Sequence, residues 1–183
     1  MNTNATHRAS PPRLPREQWA QHPHFPGQAL LLGSHASFCA INARLIEQAQ
    51  RGGTAAHLES RYRSWIAAMR SHEGYEEHKL YPYLARRWGV SFDEAEAGHH
   101  ALHEAHAGVL SAFSGLRTQE SADRRASVVK ALQEHERVLQ AHLQVEEDLV
   151  IPLLLGLSPN EFERYYYSSI ATLMRDLDRQ EAN

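Results

Sequence analysis

The chain has 183 residues, 42% of them hydrophobic, which is the length of one ordinary domain with enough apolar content for a single core. A net charge of −3 with 22% charged residues of both signs favours neither nucleic acid nor an anionic membrane as a partner. A single cysteine, Cys39, excludes an internal disulfide framework and a cysteine-based zinc site, and no stretch has the apolar core of a signal peptide or the ~18 apolar residues of a membrane span, so the reading is a cytoplasmic protein.

Residues 1–27 carry Pro11, Pro12, Pro15, Pro23 and Pro26 among scattered arginines, a composition that predicts an irregular arm, docked through Trp19 and Phe25. From Ala29 onward apolar residues recur at spacings of four and three, the pattern of helices in a bundle seam. Four long helices are expected, at about 28–50, 54–88, 91–117 and 121–155. Arg51-Gly52-Gly53, then Trp88-Gly89-Val90 with Ser91 as N-cap, then Thr118 to Ser121 separate them. Connections this short make neighbours antiparallel, so residues 28–157 read as an all-α, up-down-up-down four-helix bundle. Ser158-Pro159-Asn160-Glu161 predicts a cap and a fifth, shorter helix to about Asp178, within 158–183. Its run Tyr165-Tyr166-Tyr167 is expected to pack on the bundle or on a second copy of the chain in a homodimer.

Thirteen histidines are the abnormal count, and most fall inside the helical patterns. Written as a seam, the second helix gives Leu58, Tyr62, Trp65, Met69, His72, Glu76, Leu80 and Tyr83. Adding 70 to each gives Val128, Leu132, His135, Leu139, His142, Glu146, Val150 and Leu153, and Pro82 likewise maps onto Pro152. Helices one and three repeat at a shift of 68, with Leu31, His35, Phe38, Asn42 and Leu45 against His99, His103, His106, Leu110 and Phe113. The chain therefore reads as two similar helical hairpins.

This repeat puts polar residues where a bundle needs apolar ones. His72 with Glu76, and His142 with Glu146, are pairs four apart, each on one helix face. Counting from the connections places Glu76 level with His103, and His35 level with His72. Buried carboxylates facing one another need a cation, and histidine and carboxylate ligands without thiolate suit iron, manganese or zinc. Two bridging carboxylates suit a pair of ions better than one. Ferritin-like sites use Glu-x-x-His on two helices; here the order is reversed and the interval is four.

These motifs resemble the hemerythrin family, the HHE cation-binding domain. The resemblance lies in His35, His72-Glu-Gly-Tyr-Glu76 followed by Leu80-Tyr81-Pro82, His103, and His142-Leu-Gln-Val-Glu146 followed by Pro152, over about residues 29–155. It implies an oxo- or hydroxo-bridged di-iron centre with Glu76 and Glu146 as bridges and the histidines as terminal ligands. It leaves the third helix open, because His99 and His103 together reproduce the H-x-x-x-H of oxygen carriers while many relatives use one histidine there. A fifth histidine leaves one open place on the pair, suited to reversible O2 binding; four leave two, exposing the centre to peroxide or nitric oxide.

His106 and His135 are expected as packing groups behind the ligands, Tyr75 and Tyr83 as core, Cys39 as a small buried residue, and Glu77, Glu147 and Asp148 as surface charges. The functional expectation is a protein that binds or senses O2, nitric oxide or iron. The competing reading is an enzyme that detoxifies peroxide or nitric oxide or repairs iron–sulfur centres, although the arm lacks the cysteine that such repair proteins carry.

Overall fold

The computed structural model describes residues 10–25 and 29–181; His7 and the remainder of the expected arm lie outside the described residues. The described chain is helical: α1 (Arg16–Trp19), α2 (Ala29–Gln50), α3 (Ala55–Tyr75), a π-helical turn (Glu76–Leu80), α4 (Tyr81–Trp88), α5 (Asp93–Thr118), α6 (Ala122–Leu155), α7 (Pro159–Tyr167) and α8 (Ile170–Glu181). None of these helices is long and apolar enough to cross a membrane. The chain separates into two compact units, 30–74 with 93–145, and 1–29 with 75–92 and 146–183.

The first unit is built from α2, α3, α5 and most of α6. Its core joins Phe38 and Leu45 of α2, Leu58, Tyr62, Trp65 and Met69 of α3, Leu102, Val109 and Phe113 of α5, and Val128, Leu132 and Leu139 of α6. These are the seam positions at spacings of four and three, and burying them provides most of the helices' stability, since isolated helices in water are marginal. Between α2 and α3 the chain turns at Gly52, whose φ is +89°. The Arg125 guanidinium donates to the Gly53 carbonyl at 2.7 Å, fastening the turn.

The second unit holds α1, the π turn with α4, the end of α6, α7 and α8. Gly89 ends α4 with φ of +69°, a left-handed conformation that lets its N–H reach the Ala85 carbonyl. In the described part of the arm, residues 16–19 form one helical turn. Trp19 is buried and donates from Nε1 to the Leu14 carbonyl at 2.8 Å. Arg16 sits over the Trp19 ring and pairs with Glu147 at 2.7 Å and Asp148 at 2.6 Å, which ties this turn to the end of α6.

The expected fifth helix is two helices. Ser158 caps α7 in a full capping box with Glu161, as its sequence predicts. At Ser168, however, the backbone is extended (φ −117°, ψ 158°) and α8 begins afresh, with Ser169 Oγ accepting from the Thr172 amide at 3.3 Å. Consecutive serines compete for backbone hydrogen bonds and favour a cap over a helix interior, and that preference splits the element.

Candidate metal centre

In the first unit four histidines form two pairs. His35 of α2 is 2% exposed and its Nε2 lies 3.1 Å from His72 Nε2 of α3, the rings edge to face. Phe38 packs beside the His72 ring at 5.3 Å. His99 of α5, 1% exposed, meets His142 of α6 at a ring separation of 4.6 Å. In the second unit Glu76 and Glu146 are both fully buried and lie close to one another, with the Tyr81 side chain near Glu146.

Two carboxylates in contact with no solvent repel unless a proton or a cation lies between them. Burial, then the Glu76 contact and charge, hold the Glu146 carboxyl well above the usual carboxylate range. A divalent ion relieves the same strain without protonation, and the nitrogens are at hand. The donor atoms of His35, His72, Glu76 and Glu146 all lie within 4.8 Å of one another, a group that can hold a metal ion.

A model of the hemerythrin HHE cation-binding domain matches residues 27–154. The chain belongs to the hemerythrin family. Comparison with curated proteins and with solved structures gives no match.

Within this hemerythrin domain the α5 histidines are distributed differently from the levels counted along the sequence. His103, expected level with Glu76, has a side chain 46% exposed and holds Glu73 Oε2 at 2.8 Å. His99 takes the buried position. The buried residues His35, Phe38, Asn42, Leu45 and Ala49 of α2 correspond to His99, Leu102, His106, Val109 and Phe113 of α5, all buried, so the shift between these helices is 64 rather than 68. The difference is one helical turn. A slip of four residues leaves an apolar stripe nearly unchanged, so the seam pattern could not distinguish the two registers.

His106 and His135 pack against aromatic rings of α3. His106 Nδ1 is 3.3 Å from the Tyr62 hydroxyl, and His135 is wedged edge-on against Trp65 and Tyr62. Tyr83 is core as expected, but Tyr75 is 40% exposed, with Tyr165 close by. Cys39 is only partly buried.

Three features escape the sequence reading: the nearness of Tyr81 to Glu146, the buried carboxylate of Glu73, and Gly98. A Cβ at Gly98 would fall 2.3 Å from His142 Nδ1, so this glycine is what lets the His142 ring lie against α5. A glycine inside an otherwise helical run next to His99 was the available signal. Gly98→Ala is therefore expected to push the His142 ring from its place and weaken metal binding by about tenfold or more. Titration of the metal-free variant with Fe(II) checks this, and parental affinity would show that the ring's seat on α5 is dispensable.

Proposed function

We propose that the protein is a non-heme di-iron protein, an up-down-up-down four-helix bundle whose centre binds O2 or a related small ligand such as nitric oxide or peroxide. Glu76 and Glu146 are the bridging ligands, with His35 and His72 at one iron and His99 and His142 at the other. His103 stands outside this set, engaged by Glu73. The observation that carries the reading is the convergence of the donors of buried His35, Glu76 and Glu146 with those of half-buried His72 in a chain of the hemerythrin family. With four histidines rather than five, the pair keeps two open places, which also suits turnover of peroxide or nitric oxide. That enzyme reading is the second one.

When bound, the iron pair supplies reversible one- or two-electron chemistry toward a diatomic ligand. The protein's contribution is a fixed donor set in a dry interior. Its test is anaerobic loading with Fe(II), exposure to O2, and withdrawal of O2 under argon. Recovery of the starting spectrum is expected of a binding or sensing protein. Rapid consumption of added peroxide or nitric oxide over many equivalents would instead establish the enzyme reading, and a spectrum that never responds to any of these ligands would overturn both.

A further inference from the structure

Between α3, α5 and α6 of the first unit lies a cavity that the metal centre does not use. Arg70 and Glu73 of α3, Leu102, His103 and His106 of α5 and His135 of α6 line it. The centre of a water-sized body has about 10 Å³ to move in, which is room for one such body and no more.

The polar groups around this space differ in the partners they have found. On the solvent side the His103 side chain is 46% exposed and its Nε2 lies 2.8 Å from Glu73 Oε2. Further in, His106 Nδ1 meets the Tyr62 hydroxyl. His135 is 0% exposed, and neither its Nδ1 nor its Nε2 has a hydrogen-bond partner among the described residues. Trp65 and Tyr62 hold its ring edge-on, at 5.0 and 5.7 Å between ring centres.

A neutral imidazole needs an acceptor for its N–H and a donor for its bare nitrogen, and buried polar groups are as a rule paired, by protein or by ordered water. Protonation does not meet that need, because burial keeps this ring neutral down to about pH 4. The ring requires a small neutral molecule that both donates and accepts. A diatomic gas pairs neither nitrogen, the opposed charges of Arg70 and Glu73 favour no ion, and the space admits nothing much larger than water.

We infer that this cavity is a binding site for one water molecule, held by His135 in the interior of the first unit and entered past the His103–Glu73 pair. His106 and His135 each stand seven residues, about 10 Å along their helices, from His99 and His142. Buried Leu102 and Leu139 fall between them on α5 and α6. Water is thus admitted two helical turns from the histidine pair and kept from it by an apolar layer. By donating to the bare nitrogen it favours the neutral ring, so His135 resists protonation with the site occupied.

The test is magnetic relaxation dispersion of the water nuclei in solutions of the metal-free full chain, which counts waters held for longer than the protein tumbles. His135→Leu keeps the apolar bulk and removes both nitrogens, and is expected to lower the count by one. His135→Gln retains a donor and an acceptor and is expected to restore it. An equal count in His135→Leu and the parent would overturn the inference, as would a loss that His135→Gln does not restore, since space alone would then hold the water. His103→Ala removes one side of the entrance and is expected to shorten that water's residence time, whereas an unchanged residence time would overturn the entry route. Should His135→Leu not fold, His103→Ala decides. No metal enters these measurements, so their failure leaves the reading of the metal centre untouched.

Discussion

His99→Ala is expected to remove about one of two bound irons per chain, and His103→Ala to leave the iron count at its parental value. The two residues lie one helical turn apart on α5 and carry the same side chain, so only their surroundings separate them. His99 is 1% exposed with its ring 4.6 Å from that of His142, whereas the His103 side chain is 46% exposed and its Nε2 is taken up by Glu73. A ligand lost from a buried site forfeits the metal it held. A half-exposed ion pair contributes little, roughly 0–1 kcal/mol, although the Glu73 carboxylate is itself buried and its loss of a partner raises the cost of His103→Ala toward the upper end. Iron analysis of both variants with thermal unfolding decides it. Iron lost from His103→Ala and kept in His99→Ala would restore the level counted along the sequence.

The second large effect is on acid stability, and it arises from His135. Burial first, then the charge of His106, lower its pKa from 6.5 to about 4, and neither ring nitrogen has a hydrogen-bond partner. The sign follows from linkage: below pH 6.5 the unfolded chain takes up a proton that the folded chain refuses until about pH 4. His135 therefore costs nothing in this respect above pH 6.5, and it progressively destabilises the fold as pH falls through that window, by on the order of 3 kcal/mol. His106 is likewise lowered to about 4, by burial and then by Arg70, Arg63 and His103, and acts in the same direction. The Glu146 carboxyl works oppositely, since a raised carboxyl pKa favours the fold as pH drops below it. The informative quantity is thus the difference between two curves. His135→Leu, measured against the parent in metal-free denaturant titrations, should gain on the parent steadily from pH 6.5 to 4. Parallel curves would mean that His135 is already solvated or protonated in the fold.

Much of this organisation was legible in the sequence because it is local. The four helices begin and end within about two residues of the glycine and serine signals, since caps and turns are short-range chemistry. His72 with Glu76 and His142 with Glu146 were visible because a four-residue interval fixes a common helix face whatever the tertiary structure does. What was not visible depends on longer range. The turn of α5 that faces inward is chosen by packing across four helices, so His99 and His103 were indistinguishable by stripe alone. The π turn at Glu76–Leu80 carries no glycine and no proline inside it, so no local signal announces it. Glu59 and Glu73 look like surface charges in the sequence, yet both are buried, Glu59 between Arg63 and Arg117 and Glu73 against His103. Their partners lie outside any local window, apart from Arg63 one turn along.

The measurement that bears most directly on the metal centre is the iron content of the purified chain after anaerobic loading with Fe(II) and removal of excess metal, read beside its near-ultraviolet spectrum in air. About two irons per chain with a ligand-to-metal absorption band are expected, and both should vanish together in a Glu76→Gln, Glu146→Gln double variant that still folds. A colourless chain that holds no iron, or a double variant that keeps both irons, would contradict the assignment of these carboxylates as the bridge of the centre.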